Sequence, residues 1–97
     1  MSEPEFDGYT GPAQVTVGER TVTTAVQLTG NFEPISGRYL WRGRVRGLTE
    51  ILGTEVPDKT TLTITTPDRS GDARVTGLDL WGSHLVEGTT QPPFEHT

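Results

Sequence analysis

The stretch GNFEPISGRYLWRGRVRG, residues 30–47, decides the fold of this chain. Successive side chains of a β-strand point to opposite faces of the sheet. From residue 38 onward, Tyr39, Trp41, Gly43 and Val45 occupy the odd positions, while four arginines and one leucine occupy the even positions through residue 46. This alternation predicts a strand that buries its aromatic rings and turns its arginines to an outer face.

Period-two patterns continue on the N-terminal side of this stretch. Pro34 and Gly37 match the residue preferences of a type I turn, which would lead back into a strand over residues 22–32. Residues 13–17 alternate in the same way and are joined to that strand by a tight turn at Gly18. Two such segments on a short glycine-containing loop predict a β-hairpin.

The C-terminal half reads similarly. KTTLTITT, residues 59–66, predicts a strand, the loop PDRSGD leads to a second strand over residues 73–79, and residues 84–87 form a short last one. Residues 47–58 fit either a strand or one helical turn, and the prolines of QPPF predict an edge or a loop. Together these signals predict an all-β fold, a small antiparallel barrel or sandwich of about six to seven short strands.

The 97 residues predict a single β-domain over residues 12–97, preceded by a flexible acidic arm over residues 1–11. The chain has no cysteine, so disulfides do not support its small core. The N-terminus lacks the cationic and apolar regions of a signal peptide, and apolar runs are short. We therefore expect a soluble cytoplasmic protein that does not associate with membranes.

Charge is distributed unevenly along the chain. The net charge is −5, yet half of the eight basic residues lie in residues 38–46, so that the remainder carries −9. The acidic balance argues against nucleic-acid binding, which depends on neutralising phosphates with Lys and Arg. A dipolar surface of this kind orients a small anionic ligand or a protein partner.

The sequence contains no common catalytic signature. It lacks a nucleophile elbow, a glycine-rich phosphate loop and a metal-ligand spacing, so we expect no cofactor and no metal. One remaining group is Arg38, Arg42 and Arg44, with Glu33 beside them. These arginines either bind a carboxylate or phosphate, or pair with acidic residues on neighbouring strands, namely Glu33, Glu55, Asp79 or Glu87.

Two further groups also have alternative interpretations. The large aromatic residues either line an apolar pocket or fill the core; they are Phe32, Tyr39, Trp41, Trp81 and Phe94. His84, with Glu33 or Glu87, either moves a proton or is an exposed histidine near the end of a strand. The candidate ligand-binding residues are Glu33, Arg38, Trp41, Arg44, Trp81 and His84.

The segment GNFEPISGRYLWRGRV, followed by WGSHLVEGTTQPPF, resembles an actinobacterial family called domain of unknown function 4873. The family's members occur as small free-standing proteins and as an extra C-terminal domain on some flavin-dependent monooxygenases. The resemblance implies an all-β domain with no established activity. The chain departs from the family pattern at Ser83-His84, where members often carry a basic or aromatic residue, and at Thr89-Thr90, where a further glycine is common.

Three functions stay open at this point. The first is a non-catalytic domain that binds an anionic or apolar metabolite, or a flavoenzyme partner, as an accessory to a metabolic enzyme. The second is a small cofactor-free isomerase or cyclase, in which Arg38 and Arg44 hold an anion and Glu33 or His84 moves a proton. The third is a self-associating module, such as a homodimer, in which Trp81 and the PPF segment cover a neighbouring copy.

Overall fold

The structure is a computed structural model that describes residues 8–94, and its strands close into an antiparallel barrel. The strands are β1 Gly8–Val17, β2 Arg20–Glu33, β3 Arg38–Val45, β4 Thr61–Thr65, β5 Ser70–Leu78 and β6 His84–Gly88, with one short helix, α1 Leu48–Leu52. Their order around the barrel is β1-β2-β3-β6-β5-β4, and pairing of β4 with β1 closes it. The predicted all-β fold is confirmed, and of its two forms the barrel is the one observed.

Strand β3 has the two faces that its sequence predicted. Trp41 and Val45 are buried, Tyr39 is half-buried, and the arginines are exposed. The inward residues of the other strands continue the same core, which is a single cluster of buried side chains. Because alternate residues of each strand point inward, the interior of so small a barrel is filled by side chains.

One end of the barrel is covered by α1, which settles the conformation of residues 48–52 as helical. Leu48 and Leu52 are buried beneath the helix, and Val56 extends the cover. From the β1–β2 hairpin, Arg20 Nη1 donates a hydrogen bond to the Leu52 carbonyl oxygen at 2.6 Å. A cationic side chain on the last carbonyls of a helix stabilises its C-terminal end.

The other end is closed by residues 89–94. Pro92, Pro93 and Phe94 are buried, and Trp41 meets Phe94 edge-on, with ring centroids 6.3 Å apart. Trp41 Nε1 donates a hydrogen bond to the Thr90 carbonyl oxygen at 2.8 Å. Gly88 allows this packing, because a Cβ atom at that position would overlap the Trp41 indole.

Two local expectations need correction. β1 begins at Gly8, so that Gly8 to Gly11 pair with β2 and do not belong to the expected arm; residues 1–7 lie outside the described residues. The long β2 supplies the hydrogen-bonding partners for this N-terminal extension of β1.

The second correction concerns the β2–β3 turn, for which the sequence predicted a type I turn of four residues. The turn closes over five residues, since the Gly37 N–H donates to the Glu33 carbonyl oxygen at 2.9 Å. Gly37 reaches the required left-handed backbone, with φ 70°.

No helix within residues 8–94 has the length and apolar character needed to cross a membrane.

Candidate functional site

The residues proposed for proton transfer do not come together. Glu33 and Arg38 are register partners at the turn between β2 and β3, whereas His84 pairs with Val45 at the far end of β3. At about 3.3 Å per residue, the two ends of β3 lie roughly 23 Å apart. Glu33 instead accepts a hydrogen bond from Ser36 Oγ at 2.6 Å. The hypothesis also needs Arg38 and Arg44 on one anion, but these residues are six positions apart on β3, about 20 Å at the same spacing. The arrangement required by the isomerase or cyclase hypothesis is therefore not formed.

The expectation of an exposed His84 is wrong. The residue is 1% exposed, and its Nε2 lies 3.2 Å from the Val56 carbonyl oxygen. A carbonyl can only accept, so Nε2 carries the proton in this contact. Nδ1 is buried and has no hydrogen-bond partner among the described residues. His84 thus belongs to the interior, beneath the segment that follows α1.

The aromatic group divides between the core and the surface. Trp41 and Phe94 are buried, which confirms the core interpretation for both, and the partly buried Tyr39 packs against the same core. Phe32 is 58% exposed and Trp81 is 79% exposed, so the core interpretation is wrong for these two. Trp41 is buried too deeply to meet a ligand at the surface, whereas the Trp81 indole is available to one.

Trp81 forms part of a cleft of about 310 Å³ on the outside of the barrel. The floor is a row of outward side chains across three strands, in which Thr10 pairs with Gln27 and Gln27 pairs with Arg44. Ala25, Val26 and Gly11 complete the floor beside Arg46, and the β5–β6 connection supplies Asp79, Trp81 and Ser83 as the opposite wall. Cationic and aromatic groups therefore meet in one concavity.

The two arginines of the cleft have little counter-charge. Arg44 Nε lies 3.8 Å from Asp79 Oδ2, and the Arg44 side chain is 49% exposed. This is too long for a hydrogen bond, and half-exposed ion pairs contribute little to stability. Arg46 is exposed and makes no ion pair within the described part of the chain. Among residues 8–94, ion pairing of arginines with carboxylates is thus limited to this one loose contact, with a carboxylate in the β5–β6 connection.

Asp79 shapes the wall that carries Trp81. Its Oδ1 accepts hydrogen bonds from the backbone N–H groups of Trp81 and Ser83, both at 2.9 Å. Partial burial would raise the pKa of Asp79, but the two N–H groups and then the charges of Arg44 and Arg46 outweigh it. The pKa of Asp79 is therefore below its ordinary value, and its carboxylate stays ionised.

A broader groove of about 610 Å³ adjoins the cleft, and Gln27 and Arg44 line both. Within this groove Arg42 stands opposite Glu87 in the β3–β6 register. The facing carboxylate makes the groove less favourable for an anion than the cleft. Among residues 8–94, no three His, Cys, Asp or Glu side chains are placed to hold a metal ion.

Of the six predicted site residues, the structure brings only Arg44 and Trp81 together in the cleft. Sequence reasoning missed Arg46 as a site residue and gave Asp79 only the role of a counter-charge. An aspartate two residues before Trp81, with Gly82 next, is a typical turn signal because its side chain accepts the N–H two residues on. That signal could have placed Trp81 in a connection outside the core.

Comparison with known proteins agrees with the resemblance. Residues 6–96 match the family described as domain of unknown function (DUF4873). Uncharacterized proteins of Mycobacterium tuberculosis and Mycobacterium bovis are 35% identical over 86 residues, which cover 89% of this chain and 24% of each relative. The chain thus spans about a quarter of the length of the curated relatives it matches. No solved structure matches it. Since the family match extends over nearly the whole chain, the protein belongs to the DUF4873 family.

Proposed function

We propose that this domain is a non-catalytic binding module that takes a small anionic molecule in the cleft between Arg44, Arg46 and Trp81. The observation that carries the proposal is the meeting of two weakly paired guanidinium groups and an exposed indole in one concavity. Guanidinium groups present forked N–H donors that fit carboxylates and phosphates. A ligand that covers the exposed Trp81 indole removes apolar surface from water, which makes the binding free energy more favourable.

The chemistry of the cleft supports binding over proton transfer. Asp79 is the only carboxylate among its lining residues. Two backbone N–H groups already bind this carboxylate, and its pKa is lowered. A general base works best when its pKa lies near the operating pH, which makes Asp79 a weak one. The same two hydrogen bonds suit Asp79 to holding the wall of a binding site.

The setting that we propose is an accessory role beside a metabolic enzyme. The mycobacterial relatives are about four times as long as the matched segment, so the domain is part of a larger chain there. Resemblance to domains found on flavin-dependent monooxygenases suggests such an enzyme as the partner. The cytoplasm remains the location that we expect for it.

A second candidate function is protein docking through the β5–β6 connection. Leu80 is 94% exposed and stands next to Trp81. Adjacent exposed apolar side chains favour a protein contact, either with a flavoenzyme or with a second copy. The PPF segment is buried in its own barrel, so it is not available to cover a neighbouring copy as the self-association hypothesis required.

Thermal unfolding with a panel of small carboxylates and phosphates tests the binding proposal. A ligand at ten times its Kd adds about 1.4 kcal/mol to the free energy of unfolding. For a domain of this size, that raises Tm by about 6 to 11 °C. The wild type and Arg42→Ala should respond alike, whereas Arg44→Ala with Arg46→Ala should not respond. If no anion raises the Tm of the wild type, or if the double variant responds equally, the proposal is wrong.

A further inference from the structure

Resting on the proposed function, we infer that the ligand is a flat, largely apolar monocarboxylate, such as an aromatic carboxylic acid. Its carboxylate takes the place of Asp79 on Arg44, and its ring lies against Trp81. Three properties of the cleft lead to this class: its net charge, the way in which Asp79 is held, and the exposed indole.

The charge of the cleft matches one negative charge. Arg44 and Arg46 are cationic and Asp79 is anionic, so its ionisable lining residues sum to one positive charge. A carboxylate neutralises this charge. A phosphate monoester carries about −1.5 to −2 at neutral pH and would add repulsion against Asp79. The net charge of −5 on the whole chain also disfavours dianions at longer range.

The hydrogen bonds that hold Asp79 do not depend on its contact with Arg44. Its Oδ1 keeps both backbone N–H bonds, while its Oδ2 lies 3.8 Å from Arg44 Nε, beyond hydrogen-bond length. Turning Arg44 toward a ligand therefore leaves both backbone hydrogen bonds of Asp79 in place. In exchange, the guanidinium gains charge-assisted hydrogen bonds to the incoming carboxylate.

The shape of the cleft favours a flat body behind the carboxylate. The indole of Trp81 forms one wall, and an aromatic ring stacks on such a face in an offset or edge arrangement. A volume of about 310 Å³ is at the lower end of the range for ligand pockets, which suits an acid of one or two rings. Thr10 and Gln27, on the floor, supply polar groups for a ring substituent.

Isothermal titration of the whole domain with four probes tests the inference. The probes are 1-naphthoate, 1-naphthyl phosphate, the uncharged 1-naphthalenemethanol, and acetate, which lacks a ring. Naphthoate should bind at least about tenfold more tightly than each of the others, because the alcohol lacks charge-assisted hydrogen bonds, acetate lacks the ring, and the phosphate is repelled by Asp79. Arg44→Ala should weaken naphthoate binding by about ten- to a hundredfold, and Trp81→Ala by about three- to tenfold. Arg42→Ala, in the adjoining groove, should leave it unchanged.

Asp79→Asn supplies the sharpest readout, because asparagine can still accept both N–H bonds while the negative charge is lost. It should raise the affinity for naphthyl phosphate by a larger factor than the affinity for naphthoate. Tighter binding of the phosphate than of naphthoate by the wild type, or equal binding of acetate and naphthoate, would overturn the inference and leave the proposed function standing. Absence of binding by all three anions would overturn both.

Discussion

The two tryptophans of this domain give opposite predictions for the same substitution. Trp41 is 3% exposed, whereas Trp81 is 79% exposed. Trp41→Ala removes the contact with Phe94, opens a cavity and leaves the Thr90 carbonyl oxygen without its donor. Truncation of a buried aromatic residue costs about 3 to 5 kcal/mol. Because small domains have only about 5 to 15 kcal/mol in total, this change removes a large part of the stability.

Urea unfolding followed by far-ultraviolet circular dichroism measures the effect without relying on tryptophan emission. With a slope of about 1.5 kcal/mol per molar urea, the midpoint of Trp41→Ala should fall by about 2 to 3 M. Trp81→Ala is the matched control and should stay within about 0.5 kcal/mol of the wild type. Trp41→Phe should lie between them, since it keeps a ring but loses the N–H donor. A loss of less than about 1 kcal/mol in Trp41→Ala, well below the cost of truncating a buried aromatic residue, would refute the packing argument.

Three further predictions concern other contacts of the barrel. Gly88→Ala places a methyl group against the Trp41 indole and should cost about 1 to 3 kcal/mol in urea unfolding, while Gly77→Ala, with open space around its Cβ, should cost less. Arg20→Ala removes the hydrogen bond on the end of α1 and should cost about 1 kcal/mol in a thermal melt; an unchanged Tm would exclude that role. The folded-state pKa of Asp79 lies below 3.8. The ionised carboxylate therefore adds to the free energy of unfolding at neutral pH, and this contribution is lost as pH falls from 3.8 through the lower folded-state pKa. Asp79→Asn should flatten that part of an acid unfolding profile, and an unaltered profile would contradict the assignment.

The course of β3 could be predicted because its two faces carry different kinds of residue. Uncharged residues occupy one face, and arginines occupy most of the other. Only one register therefore buries the uncharged face without also burying arginines. The β1–β2 hairpin and the strands after residue 60 followed from similar alternation. Prediction succeeded wherever neighbours in sequence were enough to decide which side faces the core.

Prediction failed where distant segments decide burial. The alternation that puts Val86 inward also puts His84 inward, but the burial of its ring depends on the segment around Val56, which is remote in sequence. Trp81 lies in a connection, where strand periodicity no longer applies. The register shift between Val75 and Gly77 on β5 is a different case, because a glycine inside a strand pattern is itself a local signal for a bulge.

The position of the candidate cleft follows from the same division between the two faces. Inward side chains and the C-terminal segment fill the barrel, so a ligand has to be recognised on its outer surface. The outer floor needs strand pairing to bring Thr10, Gln27 and Arg44 into one row, although they are far apart in sequence. The wall needs the Asp79 turn to hold Trp81 beside that row. Each group alone is an ordinary surface residue. The proposed binding depends on these groups meeting beside arginines that have little counter-charge. The adjoining groove lacks this property, because Arg42 faces Glu87 there.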